Sequence, residues 1–175
     1  MLIDRDPAEV IGKLGVAPGC KVALASELRF LEGPLRIHGC RVVSARTPVP
    51  NANLTFLVVL EKEEVPGLAA FAHRLADVSA LWVAVPRRGA DLDGLPPPDR
   101  RPCLQDLQEI FVPLGLSDDK LLSLGTLLVG YRFVRKPPPL RAEGGPDSDL
   151  DLAEEKKRRA PKPRPRAENR KTRRR

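Results

Sequence analysis

At 175 residues, 42% of them hydrophobic, the chain has room for one ordinary domain with a buried core. Its net charge of +7 is unevenly spread, because Lys156 to Arg175 holds twelve Lys or Arg against the single acid Glu168, so the basic character belongs to a tail. No apolar run approaches the roughly 20 residues that span a bilayer, which excludes membrane insertion, and three scattered cysteines exclude a disulfide framework and fit a reducing, cytoplasmic setting.

The first residues, Met1 to Asp6, turn acidic within four positions and carry no long apolar core, so a secretory signal is not expected. Asp6-Pro7-Ala8-Glu9 then supplies an N-cap carboxylate, a first-turn proline and a Glu three residues after the cap, which predicts a helix start. Val10, Ile11 and Leu14 give that helix one apolar stripe, and Gly15 ends it. Lys21 to Ala25 predicts the first strand. Ser26 to Gly33 has space for two helical turns at most before Pro34.

Arg41 to Ala45 predicts a second strand, and Thr47-Pro48-Val49-Pro50-Asn51 an extended connection with no room for a helix. Leu54 to Leu60 is apolar enough for a central third strand. Leu68, Phe71, Ala72 and Leu75 recur at helical spacing behind Pro66, with Glu63 and Glu64 near the positive end of the helix dipole. Leu81-Trp82-Val83-Ala84-Val85-Pro86 follows without a polar break, the pattern of a strand buried on both faces, and the rest of the domain is predicted to pack around it.

Arg87 to Arg101 contains Pro96, Pro97 and Pro98 and reads as a loop, either a lid or disordered. Leu104, Leu107, Ile110 and Phe111 form the next helical face, ended by Pro113 and Gly115. Asp118 to Ser123 and Leu127 to Val134 predict two strands joined tightly enough for an antiparallel hairpin. The alternation of strand and helix, closed by a hairpin, predicts an α/β fold: an open three-layer, Rossmann-like, mostly parallel sheet of about six strands over residues 1–136. Residues 137–175 are Gly, Pro and charge, with too little apolar content to offset ordering entropy, and predict a disordered tail.

Leu114-Gly115-Leu116, followed after two strands by Tyr131-Arg132-Phe133-Val134-Arg135-Lys136, together with Leu81-Trp82-Val83-Ala84-Val85-Pro86-Arg87-Arg88, resembles a family of short bacterial proteins of unknown function. That family has a Rossmann-like domain similar to a cut-down class I methyltransferase. The resemblance covers roughly Ala8 to Lys136. With so few residues between the second and third strands, it implies that one strand and one helix of the full methyltransferase pattern are missing.

The resemblance places a ligand crevice at the carboxyl ends of the strands, between the first and the third. Ser26, Glu27, Arg46, Glu61, Lys62, Arg87, Arg88 and Gly89 would stand there. S-adenosylmethionine in such a crevice requires a glycine-rich turn after the first strand and usually an acid after the second. Here the first turn, Ser26 to Gly33, has one late glycine, and the second strand ends in Ser44-Ala45-Arg46. Both handles are absent, so no cofactor is predicted, and S-adenosylmethionine stands as the alternative that the fold implies. Glu27 and Glu61 are read as solvated acids at strand ends before they are read as replacements.

Cys20 and Cys40 each precede a strand, with His38 nearby, but three ligands without a CxxC pair make a poor zinc signature, and buried structural cysteine is the plainer reading. No metal site and no catalytic residue are predicted, and whether the chain is an enzyme is left open. Arg87 and Arg88 form a candidate strand-end anion site, against the alternative that they cap carbonyls.

The tail offers Lys156, Lys157, Arg158, Arg159, Lys162, Arg164, Arg166, Arg170, Lys171, Arg173, Arg174 and Arg175 as non-specific nucleic-acid contacts, held extended by alternating prolines. It has no aromatic residue to stack on bases, so sequence specificity is not expected from it. These features predict a small binding or scaffold protein whose tail contacts nucleic acid. The alternatives are a divergent S-adenosylmethionine-dependent methyltransferase acting on a nucleic-acid or acidic substrate, and an adaptor for an acidic protein partner.

Overall fold

The computed structural model describes residues 4–90 and 92–135. The proposed tail contacts, Lys156 to Arg175, lie outside the described residues. Within them the chain runs α1 (Pro7–Leu14), β1 (Lys21–Leu24), α2 (Glu32–Ile37), β2 (Arg41–Ser44), β3 (Leu54–Val58), α3 (Ala69–Arg74), β4 (Ala80–Pro86), α4 (Leu104–Phe111), β5 (Leu116–Ser123) and β6 (Leu128–Arg135). Two 3-10 segments, Ser26–Leu31 and Lys62–Leu68, lead into α2 and α3.

The six strands form one sheet in the order β2-β1-β3-β4-β6-β5. The pairs β1–β2, β1–β3 and β3–β4 are parallel, while β6 runs antiparallel to both β4 and β5. This is the mostly parallel sheet closed by a hairpin that the alternation of elements predicts. The strand order reverses at β1: the chain leaves it for β2 on one side and returns to β3 on the other.

Successive residues of β4 point to opposite faces, so its unbroken apolar run supplies both cores. Trp82 and Ala84 join Val22, Leu24, Leu54 and Phe56 beneath Val10, Ile11 and Leu14 of α1 and Leu28, Leu31 and Leu35 of the following turns. Leu81, Val83 and Val85 join Ala23, Leu57 and Phe133 beneath Val65, Leu68, Ala72, Leu107 and Phe111. Each large apolar side chain taken fully from water contributes about 1.5–3 kcal/mol, and β4 places four of them, Leu81, Trp82, Val83 and Val85, in the two layers beside the smaller Ala84. The ring pairs Phe56–Trp82 (6.2 Å) and Phe111–Phe133 (4.5 Å) stand one in each layer.

Local chemistry sets the boundaries. Asp6 caps α1 by accepting from the Ala8 N–H, and Gly15 ends it in the left-handed conformation at φ 73°. Glu9 pairs with Arg5 and Lys13 on the exposed face. Pro34 does not end the second helical stretch as the sequence predicts. It sits in the first turn of α2, where a missing N–H costs nothing, and the helix runs on to Ile37. β3 stops at Val58, two residues before the predicted Leu60, because the Leu60 and Glu61 N–H groups donate to the Glu64 carboxylate instead of to a strand. β5 starts two residues earlier than predicted, at Leu116, and shifts register between Asp118 and Lys120. Among the described residues no helix is long and apolar enough to cross a membrane.

Candidate functional site

The carboxyl ends of β1, β2 and β3 converge where the strand order reverses. Sheet hydrogen bonding persists just past each strand: Ala25 donates to Phe56, Ala45 to Leu24 and Val59 to Ala84, each at 2.8–2.9 Å. The chains then diverge around a crevice of about 330 Å³. Its floor is apolar, from Ala25, Ala45, Leu57, Val59, Leu68 and Phe71, and its rim carries Ser26, Glu27, Arg46 and Glu64. Gly67 lines one wall, where a Cβ would meet no atom within 4 Å.

The first turn is built by its leucines. Leu28 and Leu31 are spaced by three, the 3-10 period, and both are fully buried, which leaves Ser26, Glu27 and Arg29 facing solvent. Every described residue from Ala25 to Glu32 has a side chain, and no backbone there takes positive φ.

A second cleft, of about 390 Å³, opens along the free edge of β2 and is lined by Ser26, Arg29, Glu32, Arg36, Ser44 and Arg46 among others. Arg36 donates twice to Glu32, at 2.8 and 3.1 Å. Among the described residues Arg29 and Arg46 have no ion pair. Sequence reasoning named Ser26 and Arg46 but missed Arg29 and Arg36. Their shared spacing of seven along one helical stretch was the available signal.

Of the remaining strand-end residues, Glu61, Lys62 and Arg87 are committed elsewhere. Arg100 pairs with Glu61 at 2.8 Å and with Glu63 at 3.4 Å, and Lys62 pairs with Asp106 of α4 at 3.5 Å. Arg87 turns toward the hairpin and donates to Ser123 Oγ at 2.7 Å and to the Gly125 carbonyl at 3.1 Å. Arg88 is exposed beside it. The contact of Arg87 with the Gly125 carbonyl is of the capping kind that the sequence offers as the alternative to an anion site.

The loop after β4 is fastened by a residue that the sequence reading passed over. Arg101, 7% exposed, donates to the carbonyls of Pro96, Arg87, Arg88 and Ala90 at 2.6–3.2 Å. One guanidinium thereby gathers four carbonyls of a segment whose own backbone hydrogen bonds are isolated turns.

Cys20 and Cys40 lie side by side at the opposite ends of β1 and β2, where the Arg41 N–H donates to the Cys20 carbonyl. Burial, and secondly the neighbouring Cys20, push the Cys40 thiol up from its ordinary range. His38 Nε2 donates to the Val16 carbonyl at 3.2 Å, and all three cysteines are free. Among the described residues no cluster of His, Cys, Asp or Glu is placed to hold a metal ion.

No protein-family model and no curated protein matches the chain. Solved structures do. A SAM-dependent methyltransferase from Aquifex aeolicus is 15% identical with a TM-score of 0.51, covering 75% of this chain and 89% of its own. CalO1, a methyltransferase of calicheamicin biosynthesis in its SAH-bound form, is 16% identical with a TM-score of 0.52, covering 74% of this chain and 54% of its own. PhzM, a pyocyanin biosynthetic protein, is 11% identical with a TM-score of 0.50, covering 74% and 54%. At such identities the likeness concerns the backbone, and on the backbone it is plain: the described domain has the Rossmann-like fold of class I SAM-dependent methyltransferases.

Proposed function

We propose that the domain binds an adenosine-containing small molecule in the crevice between β1 and β3. The observation that carries this reading is the position of the crevice: an apolar floor with a polar rim, at the carboxyl ends of the strands where their order reverses. Open α/β sheets take their ligands there. Phe71 and Leu57 offer apolar surface to a flat base, and Ser26, Glu27 and Glu64 offer hydrogen-bond partners to hydroxyls.

The residues present do not fit S-adenosylmethionine held in the manner the resemblance implies. The first turn has no glycine and no positive φ from Ala25 to Glu32 to bring backbone close to the cofactor, and Arg46 stands where an acid would hold the ribose. The reading is therefore one of binding, and no residue is assigned a chemical step.

Calorimetric titration of adenosine and of S-adenosylhomocysteine into the full chain tests it. Saturable binding that Gly67→Leu weakens by about tenfold or more, with the unfolding temperature unchanged, is the expected result. Preference for S-adenosylhomocysteine over adenosine would favour the divergent methyltransferase over a binding module. No heat from either ligand, with circular dichroism showing a folded protein, overturns the proposal.

A further inference from the structure

We infer that the cleft along the free edge of β2 holds a phosphate monoester, carried on the sugar of the ligand in the adjoining crevice. The inference deepens the proposed function and rests on it for the identity of the carrier. Arg46 and Ser26 line both cavities, so one ligand can occupy the two together.

The charges of the second cleft select its occupant. Glu32, the acid among its lining residues, is already bound twice by Arg36, which neutralises that pair. Arg29 and Arg46 remain, two guanidiniums facing one cavity with no ion pair among the described residues. A cation such as a sulfonium or an ammonium would add repulsion to theirs, whereas a phosphate monoester carries about −1.5 to −2 at neutral pH and accepts from both at once. Ser44 places a hydroxyl donor on the same lining, where the Ser26 hydroxyl donates to the Glu27 carboxylate at 3.2 Å.

Position gives the second, independent argument. Arg46 follows β2 by two residues, the place from which a Rossmann sheet reads the ribose of its ligand. There an acid recognises free hydroxyls, and an arginine accommodates a phosphate on them. The missing acid and the unpaired arginine are thus one feature, the exchange of a hydroxyl reader for a phosphate reader. The cavity exists because β2 is the edge strand: among the described residues it pairs only with β1, and no further strand covers Val43 and Ser44.

The test titrates adenosine, adenosine 2′-monophosphate, adenosine 3′-monophosphate and inorganic phosphate into the full chain and into an Arg29→Gln variant. The basic tail is the same in both proteins, so the difference between them reads the cleft. At least one ribose phosphate is expected to bind wild type about tenfold or more tightly than adenosine, with most of that gain lost in the variant and adenosine affinity unchanged, since Arg29 lines only the second cleft. Equal affinity for adenosine and its phosphates, or a gain that survives in the variant, overturns the inference while leaving the crevice reading intact. If adenosine fails to bind but inorganic phosphate binds and the variant loses it, the crevice reading falls and the cleft stands as a site for free phosphate. No variant-sensitive response to any phosphate probe overturns the inference outright.

Discussion

The Asp4 carboxylate is bound twice over by Thr126, 122 residues further along the chain: the hydroxyl donates at 2.9 Å and the backbone N–H at 3.2–3.3 Å. The turn of the β5–β6 hairpin is thereby fastened to the segment that precedes α1. Gly125, at φ 123°, gives the carboxylate its space, since a Cβ there would fall 1.4 Å from Asp4 Oδ1.

This tie makes stability depend on acid pH. Thr126, through its hydroxyl first and its N–H second, holds the Asp4 carboxyl below its ordinary range. A depressed carboxyl contributes stability above its unfolded value of about 3.9 and loses it as pH falls through the folded value. Asp4→Asn should therefore flatten the acid limb of the stability curve. Thermal unfolding of both proteins at about pH 5 and about pH 3 checks this, and equal losses in the two would contradict it.

Arg101→Met should destabilise the fold by about 2–4 kcal/mol, because four carbonyls lose a charged donor, two of them in buried contacts. Arg101→Lys should recover less than half of that, since a single ammonium cannot reproduce the spread of a guanidinium. Urea unfolding of the three proteins measures both effects. A full rescue by lysine would show that charge, and not geometry, fastens the loop.

Trp82 is 1% exposed, and its Nε1–H has no partner among the described residues. Trp82→Phe removes that unsatisfied donor along with some packing, so the two effects offset and the net change should stay within about 1 kcal/mol. Trp82→Ala should cost about 3–5 kcal/mol. Denaturation followed by circular dichroism separates the two. A phenylalanine variant as damaged as the alanine one would mean that the indole has a partner in solution.

If Lys156–Arg175 contact nucleic acid, as their charge leads one to expect, removing residues 141–175 abolishes binding to duplex DNA. The same contact predicts that binding by the full chain weakens steeply with salt, with a logarithmic slope of about −0.9 per phosphate neutralised. Filter binding across a salt series measures both. Undiminished affinity in the shortened protein would move the contact onto the folded domain.

The mostly parallel sheet closed by a hairpin was legible because it follows from local patterns. The apolar run of β4, the capped start of α1 and the short connection between β5 and β6 each specify one element, and the rules of connection leave few ways to join them. The partners of charged residues were less legible. Arg87 faces the crevice by chain position, yet Ser123 and Gly125 claim it through a hairpin 36 residues away. Arg101 has the composition of a surface loop around it and is nonetheless buried by the carbonyls it collects. The 3-10 geometry after β1 and β3 was hidden as well, because spacings of three occur in both helix types and only packing chooses between them.

The placement of β4 bears on how the chain is made. Its parallel neighbour β3 precedes it, but its antiparallel neighbour β6 is Leu128–Arg135, far downstream. A nascent chain emerging from the ribosome therefore carries its most apolar strand with one side unpaired until the last strand has been synthesised. Such an edge is a template for other chains. Translation that stalls within the Arg87–Arg101 loop should release a product prone to aggregation, and a chaperone that shields strand edges would find its main client segment at Leu81–Val85.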